Sequence, residues 1–413
     1  MATMNTLLRK SPVLTPSFVA WLAFLGLCIL IGLVGALQVL SKGLEVTNLT
    51  DSVPWGLWIT IDLSSIALGA GAFTVSAVVY LFGIKRFQPI VRLAVFVGFI
   101  GYTTALLTLV MDIGRPDRFW HPWVYWNVHS VLWEITWCIT IYLTILVVEF
   151  APVIVELPLL NRSPLLRRFA HTVHGAAPVL AAAGLLISLL HQSSLGATYG
   201  ILRSRPIWFK PSMPIMFIVS AVAVGPAVTM AIGFVLEWVT GKRQIPHDIL
   251  RTIARFSGLA LLVYAYIKFW DLAAVTYYGR TPGSEAAFSI LNQYTAYGFG
   301  FWIGEIALGI GLPVLFFLNG RFNRRPFFLV LGAFLGMIGV VFNRWNVTVS
   351  GLVVPLSFSP AGSYSLVAQP YTPNAIEWAI GLGVVGYALA MLTFGVRFLP
   401  LFPKQNAESA PPH

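Results

Sequence analysis

Charge is what this sequence has least of. Only 10% of its 413 residues are Asp, Glu, Lys or Arg, where a soluble domain carries about 25%. A chain so poor in charge cannot cover a water-facing surface, so its solvent is lipid. Cysteine is almost absent: Cys28 and Cys138 both fall inside apolar stretches. They offer neither metal-ligand spacing nor a disulfide framework, so no iron–sulfur cluster is expected from this chain. There is no P-loop, no G-x-G-x-x-G after a strand and no H-E-x-x-H. A long alternating strand pattern is missing too, which excludes a β-barrel.

What is present is apolar sequence in long runs, 57% of residues being hydrophobic. Stretches of about 20 residues can cross the hydrocarbon as helix. Ten are read at 17–40, 55–82, 91–113, 128–150, 174–196, 214–239, 253–278, 296–318, 327–350 and 374–397. The expected fold class is therefore all-α and polytopic, one transmembrane domain over 1–403 with a polar, disordered tail at 404–413. The first helix follows Arg9 and Lys10 without a small-residue cleavage site, so it reads as a retained anchor. A net charge of +11 does not indicate nucleic acid, because the basic residues are dispersed over short loops. They are dispersed unequally. One set of loops carries Lys85, Arg86, Arg162, Arg167, Arg168, Lys242, Arg243, Arg321, Arg324 and Arg325. The other carries only Lys42, Arg115, Arg118, Arg203, Arg205, Lys210 and Arg280. The positive-inside rule puts the first set, and both termini, in the cytoplasm. The outer loops are rich in Trp, Tyr, Pro and Gly, as at 120–126, 208–214 and 359–373. They read either as an aromatic belt or as a platform for a partner protein.

Ionisable side chains within spans are costly and mark function by default. Asp62, Asp112, His129, Glu134, His191, Lys268, Asp271, Glu305, Arg344 and Glu377 are all read in the outer half or at the outer rim, and only Glu149, Glu237, His171 and His174 toward the inner side. Blander readings exist. Lys268 and Asp271, spaced i and i+3, are expected to neutralise each other, and Arg344 to hold a carboxylate from another helix. Glu134 and His191 resist such readings, each lying about a turn or more inside its helix. On the fourth helix Glu134 and Glu149 share one stripe, about 22 Å apart at 1.5 Å per residue. With Tyr102 bridging them, His191 at the outer end and Glu237 at the inner, they compose a ladder for protons. Haem ligation would need facing histidines at matched depth; His129 and His191 are the one pair considered, and no haem is expected.

The chain resembles the NrfD/PsrC-type quinone-interacting membrane subunits, most closely their ten-helix HybB-like branch. The resemblance rests on TNLTDSVPWGLWITID at 47–62, Tyr102, DIGRPDRFWH at 112–121, NVHSVLWEITWCITIYLTILVVEFAP at 127–152, HQSSLG at 191–196, FVLEW at 234–238 and NRW at 343–345. It implies two four-helix bundles plus extra helices, without haem or an iron–sulfur cluster in this chain. It further implies a site for menaquinone or another quinone near the outer face, and electron exchange with a periplasmic iron–sulfur subunit of four clusters, beside further catalytic or cytochrome subunits. By position Tyr102, Glu134, Glu149, His191 and Glu237 match polar positions of that pattern, whereas His129 stands where hydrogenase-type members carry Asn.

Quinone reduction takes two electrons and two protons, and the protons need titratable donors beside the quinone oxygens. His129, Glu134 and His191 are the expected catalytic groups. Asp112 and Arg115 would line the mouth, Asp62, Glu305 and Arg344 the wider pocket, and Tyr102, Glu149 and Glu237 the proton path. The expected setting is the cytoplasmic membrane of a prokaryote. Two rivals remain: a secondary transporter, which predicts polar groups at mid-depth within an internal repeat, and a purely structural anchor.

Overall fold

A computed structural model describes residues 15–202, 205, 208–274, 296–353, 356–358, 364–366 and 371–402. The tail expected at 404–413 lies outside them. Ten helices among the described residues are long and apolar enough to cross a membrane: α1 (Pro16–Lys42), α2 (Leu57–Leu81), α3 (Lys85–Asp112), α4 (Val131–Val155), α5 (Ala177–Gly200), α6 (Met213–Thr240), α7 (His247–Ala273), α8 (Tyr297–Leu318), α9 (Pro326–Val349) and α10 (Ala375–Phe398). The chain is a multi-pass integral membrane protein. Many of its large apolar side chains are exposed. Leu27, Leu30, Leu33 and Leu37 of α1 are all more than half exposed, which water would penalise and lipid does not.

Local sequence sets the helix ends. Ser130 caps α4 by accepting the Trp133 N–H, and Asn374 and Glu377 form a reciprocal capping box at the start of α10. The cap at Ser130 starts α4 three residues later than the apolar run suggested, leaving His129 outside the helix. Before α5, the amphipathic segment Pro164–Gly175 forms a separate helix capped by Ser163, so the span begins at Ala177 rather than 174. α2 and α8 are not uniform: α2 ends in the π-turn Ala77–Leu81, and Gly300–Gly311 of α8 is π-helical, a geometry frequent at functional sites.

Helices α2–α5 pack as one four-helix bundle and α6–α9 as a second, with α6 the main seam between them and α1 paired with α10 alongside. Small residues allow the close crossings. A Cβ on Gly225 of α6 would stand 2.5 Å from the Gly71 nitrogen of α2, and one on Gly383 of α10 would stand 2.5 Å from Gly32 Cα of α1. Between α9 and α10, Leu356–Phe358 and Tyr364–Leu366 pair as two short antiparallel strands.

Polar contacts gather the helix ends into two faces. On one, Arg86 meets Asp248, Arg92 meets Glu156 and the Pro400 carbonyl, and His247 meets Glu237; this is the basic face. On the other, Glu377 accepts the Asn48 N–H and Lys210 pairs with Asp271. This second face carries exposed Trp120, Tyr125 and Trp126 and is the aromatic face.

Candidate functional site

Within the first bundle, α5 presents His191 to α3 and Ser194 to α4. His191 is fully buried, and its Nδ1 lies 3.1 Å from the Tyr102 hydroxyl. With the hydroxyl donating, Nε2 is the protonated ring nitrogen, and it has no partner among the described residues. One turn along, where i and i+3 share a face, Ser194 donates to Glu134 Oε1 at 2.9 Å. The residue after His191, Gln192, is fully buried, with neither side-chain oxygen nor nitrogen satisfied among the described residues. Buried polar atoms without partners are uncommon and costly, so such a cluster is suited to a polar ligand or to water.

Titratable groups extend from this cluster in both directions. The Tyr102 ring lies 4.6 Å from that of Tyr142, and Tyr142 and Tyr80 are each within electrostatic reach of Glu149. Toward the aromatic face Tyr102 is within reach of Asp62, and Asp62 of Asp112. Asp62 and Asp112 are both buried, each with one carboxylate oxygen unpartnered among the described residues. Asp112 is in turn within reach of Glu377, but Glu377 is already saturated. Its Oε2 accepts the N–H groups of Asn48 at 3.0 Å and Asn374 at 2.9 Å, and its Oε1 the Tyr371 hydroxyl. Burial, reinforced by that carboxylate, pushes the Tyr371 hydroxyl well above its usual range. Beside Glu134, the rings of Trp126, Trp133 and Trp137 cluster with centroids 5.2 to 6.3 Å apart.

A second polar centre lies in the other bundle. Glu305 Oε1 accepts from Lys268 at 2.6 Å, Asn343 at 2.8 Å and the Tyr264 hydroxyl at 2.9 Å. Arg344 donates to Asn343 Oδ1 at 2.7 Å and Ser220 Oγ at 2.9 Å, its guanidinium 3.7 Å from the Phe217 ring centroid. Tyr264, Glu305, Asn343 and Ser220 border a cavity of about 10 Å³, about the room one water needs.

The sequence matches the family described as "Polysulphide reductase, NrfD" over residues 45–355. The chain belongs to the NrfD family. Its relatives include the menaquinone reductase integral membrane subunit of Nitratidesulfovibrio vulgaris, 35% identical over 94% of this chain and 93% of that one. The probable Ni/Fe-hydrogenase 2 b-type cytochrome subunit of Escherichia coli is 27% identical over 88% and 87%. The Hdr-like menaquinol oxidoreductase integral membrane subunit of Archaeoglobus fulgidus is 23% identical over 90% of each chain.

The NrfD-family fold unites some of the residues singled out by sequence and separates others. Glu134, His191 and Tyr102 share one junction, with Asp62, Asp112 and Glu149 in the same bundle. His129 is exposed in the loop before α4. Arg115 is exposed and bound by two hydrogen bonds of 3.0 Å to Asp117, which holds the Asp117 carboxyl below its usual range. Glu237 is held by His247 at 2.7 Å and Arg243 at 3.5 Å on the basic face of the second bundle, away from the stripe of Glu149. Two structural expectations are corrected. Lys268 pairs with Glu305, while Asp271 turns to Lys210 at 2.6 Å and Ser212 at 3.2 Å. Arg344 makes no ion pair among the described residues; its hydrogen bonds go to neutral groups. Gln192 and Tyr142 are site residues that the sequence alone did not single out. A polar residue directly after His191 in an otherwise apolar span was the available signal for the first.

Proposed function

We propose that this chain is the quinone-reactive membrane subunit of a respiratory oxidoreductase, exchanging protons with a menaquinone-type quinone at the α3–α4–α5 junction. The observation that carries the reading is a buried histidine with one nitrogen fixed by Tyr102 and the other unpartnered, one turn from a carboxylate held by Ser194. A quinone presents two oxygens that each take a proton on reduction, so it needs two such groups within hydrogen-bond reach. His191 Nε2 and Glu134 suit that need. The tryptophans beside Glu134 offer apolar area for ring and tail, in keeping with pockets that are mostly apolar with few polar anchors. The relatives named for menaquinone, menaquinol and hydrogenase chemistry support a place in a multi-subunit redox complex. Electrons would come from a periplasmic iron–sulfur subunit with four clusters, docked on the aromatic face, in a cytoplasmic membrane with both termini inside.

Tyr102, Tyr142 and Glu149 form the proposed route for protons from the basic face. A tyrosine hydroxyl both donates and accepts, so it relays a proton without holding charge. Asp62 and Asp112 form the corresponding route toward the aromatic face. His129, Arg115, Glu305, Arg344 and Glu237 lie outside this junction and are assigned no part in proton transfer to the quinone. The test is turnover of a menaquinone analogue by the purified complex. His191→Ala and Glu134→Gln should each abolish most turnover while the subunits still co-purify; full turnover in both would move the quinone elsewhere.

A further inference from the structure

The basic face holds a feature that quinone chemistry does not use. A cleft of about 700 Å³ opens between the end of α2, the start of α3 and the start of α5. Lys85, Arg86, Arg92 and His174 line it, and Pro89 and Val91 give it an apolar wall. Two of the cations are already engaged, Arg86 with Asp248 and Arg92 with Glu156, each at 2.6 Å. Lys85 and His174 are exposed and make no ion pair among the described residues. The cleft thus keeps the uncompensated charge of Lys85, with the His174 ring as a further hydrogen-bonding group, and the ligand chemistry it fits is that of a phosphate anion.

The surroundings distinguish the source of that anion. His174 belongs to the helix Pro164–Gly175, which carries Arg167, Arg168 and His171 and leaves Leu165 and Phe169 exposed. A short helix with basic and apolar residues on its open surface lies in the membrane interface, its apolar side chains at the headgroup boundary. The cleft therefore opens at headgroup depth, with cations for a phosphate and an apolar wall for the glycerol and first methylenes. A free phosphate would gain nothing from that wall. Basic pockets between membrane helices are suited to anionic headgroups, and charge complementarity favours phosphatidylglycerol-type lipids over zwitterionic ones.

We infer that the cleft between α2, α3 and the Pro164–Gly175 helix binds the headgroup of an anionic phospholipid, clamping the surface helix to the start of α3. The cleft lies away from His191 and Glu134, so a vacant cleft would leave the place of the quinone untouched, although Tyr80 on its wall is within electrostatic reach of Glu149 on the proposed proton route.

Spin-labelled phosphatidylglycerol and phosphatidylcholine, compared in vesicles containing the purified wild-type complex, read the preference directly. Phosphatidylglycerol should be favoured, and Lys85→Gln combined with His174→Ala should cut its relative association by about fivefold or more. Lys85→Arg should retain the preference, which separates loss of charge from misfolding. Equal association of the two lipids with the wild type, or a preference unchanged in the double variant, would overturn the assignment. Displacement of the labelled lipid by millimolar inorganic phosphate at constant ionic strength would assign the cleft to free phosphate instead.

Discussion

Replacing Glu305 by Gln should destabilise this protein more than replacing its partner Lys268 by Met. Both groups are buried and 2.6 Å apart, and removing one member of a buried pair costs about 3–5 kcal/mol. The two ends are not equivalent. Without Lys268, Glu305 still accepts from Tyr264 and Asn343 and remains within electrostatic reach of Arg344, which points to about 3 kcal/mol. Without the carboxylate, both Lys268 and Arg344 are left as buried cations, which points to about 5 kcal/mol. The double variant removes the lysine and the carboxylate together, so its cost should fall well below the sum of the singles, with a coupling of about 2–3 kcal/mol. Chemical unfolding in a single detergent, followed by tryptophan fluorescence, measures all three. Additive singles, or a Lys268→Met variant less stable than Glu305→Gln, would refute the reasoning.

The quinone junction and the helix crossings can be probed in the same way. Tyr102→Phe removes the hydroxyl that fixes His191 Nδ1 and should slow quinone turnover about tenfold to hundredfold, measured under saturating quinone, with assembly unchanged. Glu149→Gln should slow proton-linked turnover, whereas Glu237→Gln should stay within about twofold of wild type, because Glu237 sits in an ion-paired cluster of the other bundle; equal effects would contradict the assigned route. Gly383→Leu would drive a side chain into Gly32 of α1 and should lower the unfolding midpoint sharply in a thermal melt, while Gly26→Leu, with nothing within 4 Å, should leave it unchanged.

The ten spans and their order were legible in the sequence because lipid imposes continuous apolar runs whatever the tertiary fold. Helix ends were less so. Val128 extends the apolar pattern before α4, but the Ser130 cap overrides it and leaves His129 in a loop. Similar local signals set off the surface helix, which Ser163 and Pro164 begin and Ala176 separates from α5. Pairing between helices was not legible at all. The i, i+3 spacing of Lys268 and Asp271 invited a local pair, yet each finds a closer partner across the bundle, Glu305 and Lys210. Glu134 and Glu149 lie on one helix, so their spacing was readable from sequence, whereas the place of Glu237 in the second bundle depends on how the two bundles pack. The burial of Gln192 with an amide unsatisfied among the described residues is a feature that only packing reveals.

The central claim is the place of the quinone, and photolabelling tests it most directly. A menaquinone analogue carrying an azide on the ring would be bound to the intact complex, irradiated and mapped by peptide mass spectrometry. The account predicts labels on α4 and α5, at residues 131–155 and 177–200, competed away by unlabelled quinone and lost in His191→Ala. Competable labels confined to α6–α9, or to another subunit, would contradict it.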